Sequence, residues 1–121
     1  MNAEPIESGA LPLDETFIVD RDHLVRSVVP VRGKPYEHRC PQASYESVAH
    51  AADEMSSGIT LERLRAATNL PFTAIAVALA FMKERGCVVL ERGRTNRAAS
   101  KFLFEDAMVE YHALREKPEG D

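Results

Sequence analysis

The sequence predicts a mainly α fold with one small β-hairpin: a three-helix core, the hairpin, and a C-terminal helix. Three observations carry this. Between residues 44 and 86 apolar side chains recur at helical spacing in three blocks, punctuated by Ser44, Gly58, Thr60, Pro71 and Gly86. Next come "CVVLE" and "RAASKFLF", two strand-like runs either side of the turn "RGRTN". From Glu105 onward, Met108, Tyr111, His112 and Leu114 return to helical spacing.

In chain order, residues 1–15 ("MNAEPIESGALPLDE") read as a loose tail, with Pro5, Gly9 and Pro12 and few apolar anchors. Residues 16–43 form an irregular arm, because its β-branched runs, Phe17–Val19 and Val28–Val31, are interrupted by Pro30, Gly33, Pro35 and Pro41. The main domain spans 44–101. Ser44 is placed to cap a first helix, about 45–56, whose Tyr45, Val48, Ala49, Ala52 and Met55 share a side. Thr60 caps a second, about 61–67. After the turn "TNLP", Pro71 opens a third, about 71–85, which Gly86 ends. A C-terminal helix within 102–116 and a frayed tail, 117–121, complete the chain.

A chain of 121 residues with 45% hydrophobic and 28% charged residues has the composition of one globular domain rather than a disordered polymer. No apolar run approaches the roughly 20 residues that span a bilayer, and the acidic first residues are the opposite of a signal peptide, so a cytoplasmic location is expected. The two cysteines, Cys40 and Cys87, are expected to stay reduced.

The net charge of −4 conceals an asymmetry. Residues 61–101 carry eight Arg or Lys against three Asp or Glu, while 1–60 carry five against ten and 102–121 two against six. A basic middle between acidic ends is a local footprint for a polyanion.

The stretch "ITLERLRAATNLPFTAIAVALAFMKERGCVVLERGRTNR" resembles the bacterial winged helix-turn-helix transcriptional regulators. "LERLRAATNLP" looks like the scaffold helix and turn, "LAFMKERGCV" like the end of a recognition helix leading into a strand, and "LERGRTNRA" like a β-wing with a basic tip. The resemblance implies a winged helix-turn-helix fold and binding to double-stranded DNA, as in a transcriptional regulator. The third helix would lie in a major groove and the wing would touch the backbone or a minor groove. Carried over to this chain, the groove-facing positions are Phe72, Thr73, Ala76, Val77 and Ala80; the wing contacts are Arg92, Arg94, Thr95, Asn96 and Arg97. Arg63, Arg65 and Lys101 are placed to neutralise phosphates.

The third helix departs from that pattern. Thr73, Val77, Ala80 and Glu84 lie opposite its core side of Pro71, Ile75, Ala78, Leu79 and Met82, and only Thr73 offers a polar group in the first two turns. Three arrangements are open. The wing arginines supply affinity while the helix touches thymine methyls; or the face of Val77 and Ala80 docks a protein partner or a second copy; or the arm, 16–42, folds over it.

No catalytic constellation, cofactor motif or metal set is expected. His38, Cys40 and His50 lack a second Cys-x-x-Cys or His-x-x-x-His pair, and no Gly-rich phosphate loop or nucleophile motif occurs. The protein is read as a non-enzyme. Phe102, Phe104, Met108, Tyr111 and Leu114 form an apolar seam outside the main domain, from which a homodimer through the last helix is expected, with closure of the monomer's own core as the alternative.

Overall fold

A computed structural model describes residues 14–116. Three strands come first: β1 (Asp14–Asp20), β2 (His23–Val29) and β3 (Tyr36–Pro41), an antiparallel sheet in the order β1-β2-β3. Three helices follow, α1 (Gln42–Met55), α2 (Leu61–Thr68) and α3 (Phe72–Glu84). The hairpin β4 (Val88–Arg92) and β5 (Thr95–Ala98) and the helix α4 (Leu103–Glu116) complete the fold.

The mainly α, winged helix-turn-helix class expected from the sequence is therefore corrected. A three-stranded sheet precedes the helices and packs on them, giving a mixed α/β order that a winged helix does not have. The irregular arm is this sheet. Its prolines do not oppose it: Pro30 and Pro35 lie in the loop between β2 and β3, and Pro41 ends an edge strand, so neither the loop nor the ladder loses a needed N–H. The β1–β2 turn is two residues long, and Arg21 and Asp22 both have positive φ, 52° and 62°, as a tight hairpin requires. The usual marker of such a turn is Asn-Gly, and its absence hid the hairpin. Register then aligns Val19, Leu24 and Cys40 across one face, with Phe17, Arg26 and His38 next along it.

That face meets α3. Phe81 of α3 packs on Phe17 of β1 with ring centroids 5.3 Å apart and on Tyr45 of α1 at 5.9 Å, and Tyr45 stacks on Tyr111 of α4 at 5.3 Å. One aromatic column thus joins the sheet to three helices, and the Tyr45 hydroxyl donates to the Ala107 carbonyl at 2.8 Å. Enclosed by β2, β3, β4, α1 and α2, α3 buries Ala74, Ile75, Val77, Ala78, Leu79, Phe81 and Met82. Its exposed residues, Phe72, Thr73, Lys83 and Glu84, stand at the two ends, and the apolar middle lies inside.

Local details sharpen the boundaries. Pro41, not Ser44, precedes the first helical residue, and no side chain caps α1. Thr60 does cap α2, accepting from the Arg63 amide at 3.1 Å, and Asn69 ends it in the left-handed region. Between α1 and α2, Gly58 has φ +64° and its carbonyl accepts from the Arg63 guanidinium at 2.7 Å. A Cβ there would stand 2.5 Å from that guanidinium, which can swing aside, so it is the left-handed backbone that calls for glycine.

The apolar seam of the last helix closes the monomer. Tyr111 and Leu114 are buried, and Phe104 and Met108 pack partly buried on the same core; Phe102 alone of the five is exposed. Among the described residues no helix is long and apolar enough to cross a membrane.

Candidate nucleic-acid interface

The β4–β5 hairpin is built on the core but made for solvent. Val88 is buried, and the strands then run outward, pairing Val88 with Ala98, Val89 with Arg97 and Leu90 with Asn96. A bulge between Leu90 and Arg92 shifts the register, and Gly93 with φ +55° turns the tip. Arg92, Arg94 and Arg97 are all exposed, as is Lys101 beyond the hairpin. None of these four enters an ion pair among the described residues; Arg97 donates only to the adjacent Ala98 carbonyl, at 3.4 Å. Glu91 is the single acid at the tip.

Most arginines elsewhere are engaged, Arg21 and Arg32 being the exceptions among the described residues. Arg26 pairs with Glu15, Arg39 with Asp20 and Glu37, Arg85 with Glu84 and Glu110, and Arg115 with Asp22. Arg63 holds the carbonyls of Ser57 and Gly58, and Arg65 lies 5.0 Å above the Phe72 ring. On β4–β5 three arginines without an ion pair among the described residues gather on one turn.

Of the residues singled out by sequence, Arg63, Arg65, Phe72, Thr73, Arg92, Arg94, Arg97 and Lys101 are exposed. Ala76, Ala80 and Thr95 are half-buried. Two positions are corrected. Val77 is fully buried: it lies one turn before Phe81, which is held against Phe17, so that side of α3 is occupied by the sheet. The middle of α3 can neither enter a groove nor dock a partner on Val77. Asn96 is 2% exposed, and its role is internal. Its main chain exchanges hydrogen bonds with Ile59 at 2.8 and 2.9 Å, while Nδ2 donates to the carbonyls of Ile59 and Arg94 at 3.2 and 3.4 Å. The side chain ties the hairpin tip to the segment before α2. Its Oδ1 has no hydrogen-bond partner among the described residues.

The described residues offer little for chemistry. Both thiols are free and buried; burial pushes Cys40 up to about 12 and, together with Glu110 and Asp106, Cys87 up to about 11, so neither is a thiolate at neutral pH. A shallow pocket of about 220 Å³ between α4 and the start of β4 is lined by Arg85, Gly86, Cys87, Asp106, Val109 and Glu110, with Arg85 already held by Glu110. No three His, Cys, Asp or Glu side chains gather as a metal set among the described residues.

Sequence reading missed a second basic hairpin. The β2–β3 loop carries Arg32 and Lys34, and Tyr36 and His38 follow on β3. "RGKP" flanked by Pro30 and an aromatic was the available signal, lost because the segment was read as irregular. No known protein family, curated protein or solved structure matches the chain.

Proposed function

We propose that this protein binds duplex DNA through the β4–β5 hairpin, gripping the phosphate backbone or a minor groove, with transcriptional regulation as the role such binding serves. The observation that carries the reading is the cluster of exposed, unpaired arginines at Arg92, Arg94 and Arg97 around one turn, where most other arginines are neutralised or tied to neighbours and the exceptions, Arg21 and Arg32, stand in separate turns. Guanidinium groups on a protruding turn match phosphate oxygens in geometry and charge. Lys101, Arg65 and the exposed start of α3, Phe72 and Thr73, supply further contacts. Base reading by the middle of α3 is not part of this function, because Val77 is in the core. Affinity then comes from phosphates and from groove width, and sequence preference is shallow. Two buried, reduced thiols accord with a cytoplasmic setting.

The test is duplex affinity against salt concentration for the wild type and for the triple variant Arg92→Ala, Arg94→Ala, Arg97→Ala. The wild type binds at low salt, and the triple variant loses roughly 0.9 of log-log salt slope per phosphate contact removed. A wild type with no affinity at low salt, or a triple variant with an unchanged slope, ends the proposal.

A further inference from the structure

We infer that the β2–β3 hairpin is a separate binding site for single-stranded nucleic acid, with Arg32 and Lys34 on phosphates and the Tyr36–His38 ring pair stacking an unpaired base. It does not depend on duplex binding by β4–β5.

The site is built from three features. The loop from 30 to 35 is held between Pro30 and Pro35 and turns at Gly33, whose φ is +94°. Arg32 and Lys34 stand in it exposed, with no ion pair or hydrogen bond among the described residues. Tyr36 and His38, two apart on β3, project to one side of the sheet, and their rings contact at 4.9 Å between centroids, tilted by 40°. Tyr36 keeps 41% of its surface in solvent although it sits in a strand, and the neighbouring Val31 keeps 63%.

Charge and shape select the partner. On the ring side of the sheet Tyr36 faces Val28 and His38 faces Arg26, whose charge is met by Glu15. On the other side, Arg39 is met by Asp20 and Glu37. Arg32 and Lys34 are thus the cations of the loop that no carboxylate meets among the described residues, with Asp14, opposite Val29 at the root of the loop, the acid at this end. A duplex hides its base faces and offers such a surface only phosphates. A single strand offers phosphates together with open π-faces, which aromatic side chains on a strand take up without regard to sequence. Inserting a base between two rings needs about 7 Å, twice the 3.4 Å stacking rise. At 4.9 Å the Tyr36–His38 pair is closed, so a base stacks on its outer face and one base is held per site.

The experiment uses the full chain and fluorescence anisotropy with a labelled 20-residue oligothymidine and a duplex of equal length. Tyr36→Ala with His38→Ala is expected to weaken oligothymidine binding by about 5- to 150-fold, the range for loss of one stacked base, and to leave duplex binding unchanged. Tyr36→Phe alone retains wild-type affinity, because the stacking face is kept. Arg32→Ala with Lys34→Ala lowers the log-log salt slope on oligothymidine by about 1.4, at roughly 0.7 per phosphate contact. Should the ring variant fail to fold by circular dichroism, this exposed-loop variant carries the test alone. The inference is overturned if the wild type does not bind oligothymidine, if the folded ring variant binds it as the wild type does, or if the salt slope is unmoved. The β4–β5 triple variant separates the two readings, since its loss of duplex binding with oligothymidine affinity intact leaves both standing. Absence of all duplex binding removes only the function proposed above.

Discussion

Helix α3 and the β4–β5 hairpin are neighbours in sequence and opposites in environment. From Phe72 to Met82, α3 has no charged residue, and seven of its side chains are buried. A few residues later, Arg92 to Arg97 places three exposed arginines around one turn, without an ion pair among the described residues. The difference teaches where recognition can reside. A surface that reads DNA needs groups whose hydrogen bonds are not yet used, and between Thr73 and Lys83 α3 has no such side chain. The hairpin has such groups.

The sharpest way to break this contrast is to put a cation into the covered face. Val77→Arg forces a guanidinium into the packed space around α3, where it cannot be hydrated or paired, and is expected to destabilise the fold by about 3 kcal/mol or more. Thermal unfolding followed by circular dichroism reads the loss. A variant of unchanged Tm with increased duplex affinity would restore α3 as a reading helix.

Alkaline pH separates the two regions without mutation. The Cys40 thiol has an ordinary value of 9.0 and is pushed up to about 12 by burial. The unfolded chain therefore ionises first. The stability this thiol contributes is whole below pH 9 and is lost as pH rises from 9 towards 12, at about 1.4 kcal/mol per pH unit. Urea titrations at pH 8 and 10 should show the fall, and Cys40→Ala should reduce it. Arginine stays charged throughout, so the hairpin keeps its charge while the core weakens. Equal slopes in wild type and Cys40→Ala would mean that the thiol ionises freely in the native state.

A smaller effect is expected at the root of the hairpin. Asn96→Ala removes the side-chain bonds to Ile59 and Arg94 but keeps the backbone pair with Ile59, so the cost is about 1 kcal/mol. Amide exchange at Arg94 and Thr95 should accelerate, because the tip is untied. Unchanged exchange there would show that the bulge and Gly93 fix the tip unaided.

Residue by residue, legibility followed the range of the forces involved. The helices at 61–68 and 72–84 were marked locally, by the Thr60 cap, by Pro71 and by Gly86. The hairpin was local only in part: the run "CVVLE" and Gly93 marked its first strand and turn, but the return strand read in "RAASKFLF" is Thr95–Ala98, and Leu103 and Phe104 belong to α4. The first sheet was not. Its β1–β2 turn uses Arg21 and Asp22 at positive φ, and β3 is exposed at all four positions before Cys40, so neither turn chemistry nor alternation announced it. Strand pairing between Phe17 and Arg26, or Arg26 and His38, is decided across the fold.

The sequence by itself determined that α3 carries no charge before Lys83, that a glycine-turned hairpin carries three arginines, and that Thr60, Pro71 and Gly86 punctuate the helices. These follow from nearest-neighbour backbone preferences and helical periodicity, which act over a few residues. Only the tertiary structure decided what covers α3, that Asn96 faces inward, and that Tyr111 and Leu114 belong to the monomer's own core. Burial is a property of surfaces brought together from distant parts of the chain. Phe17 and Phe81 meet across more than half the length of the sequence, and no local pattern encodes that encounter.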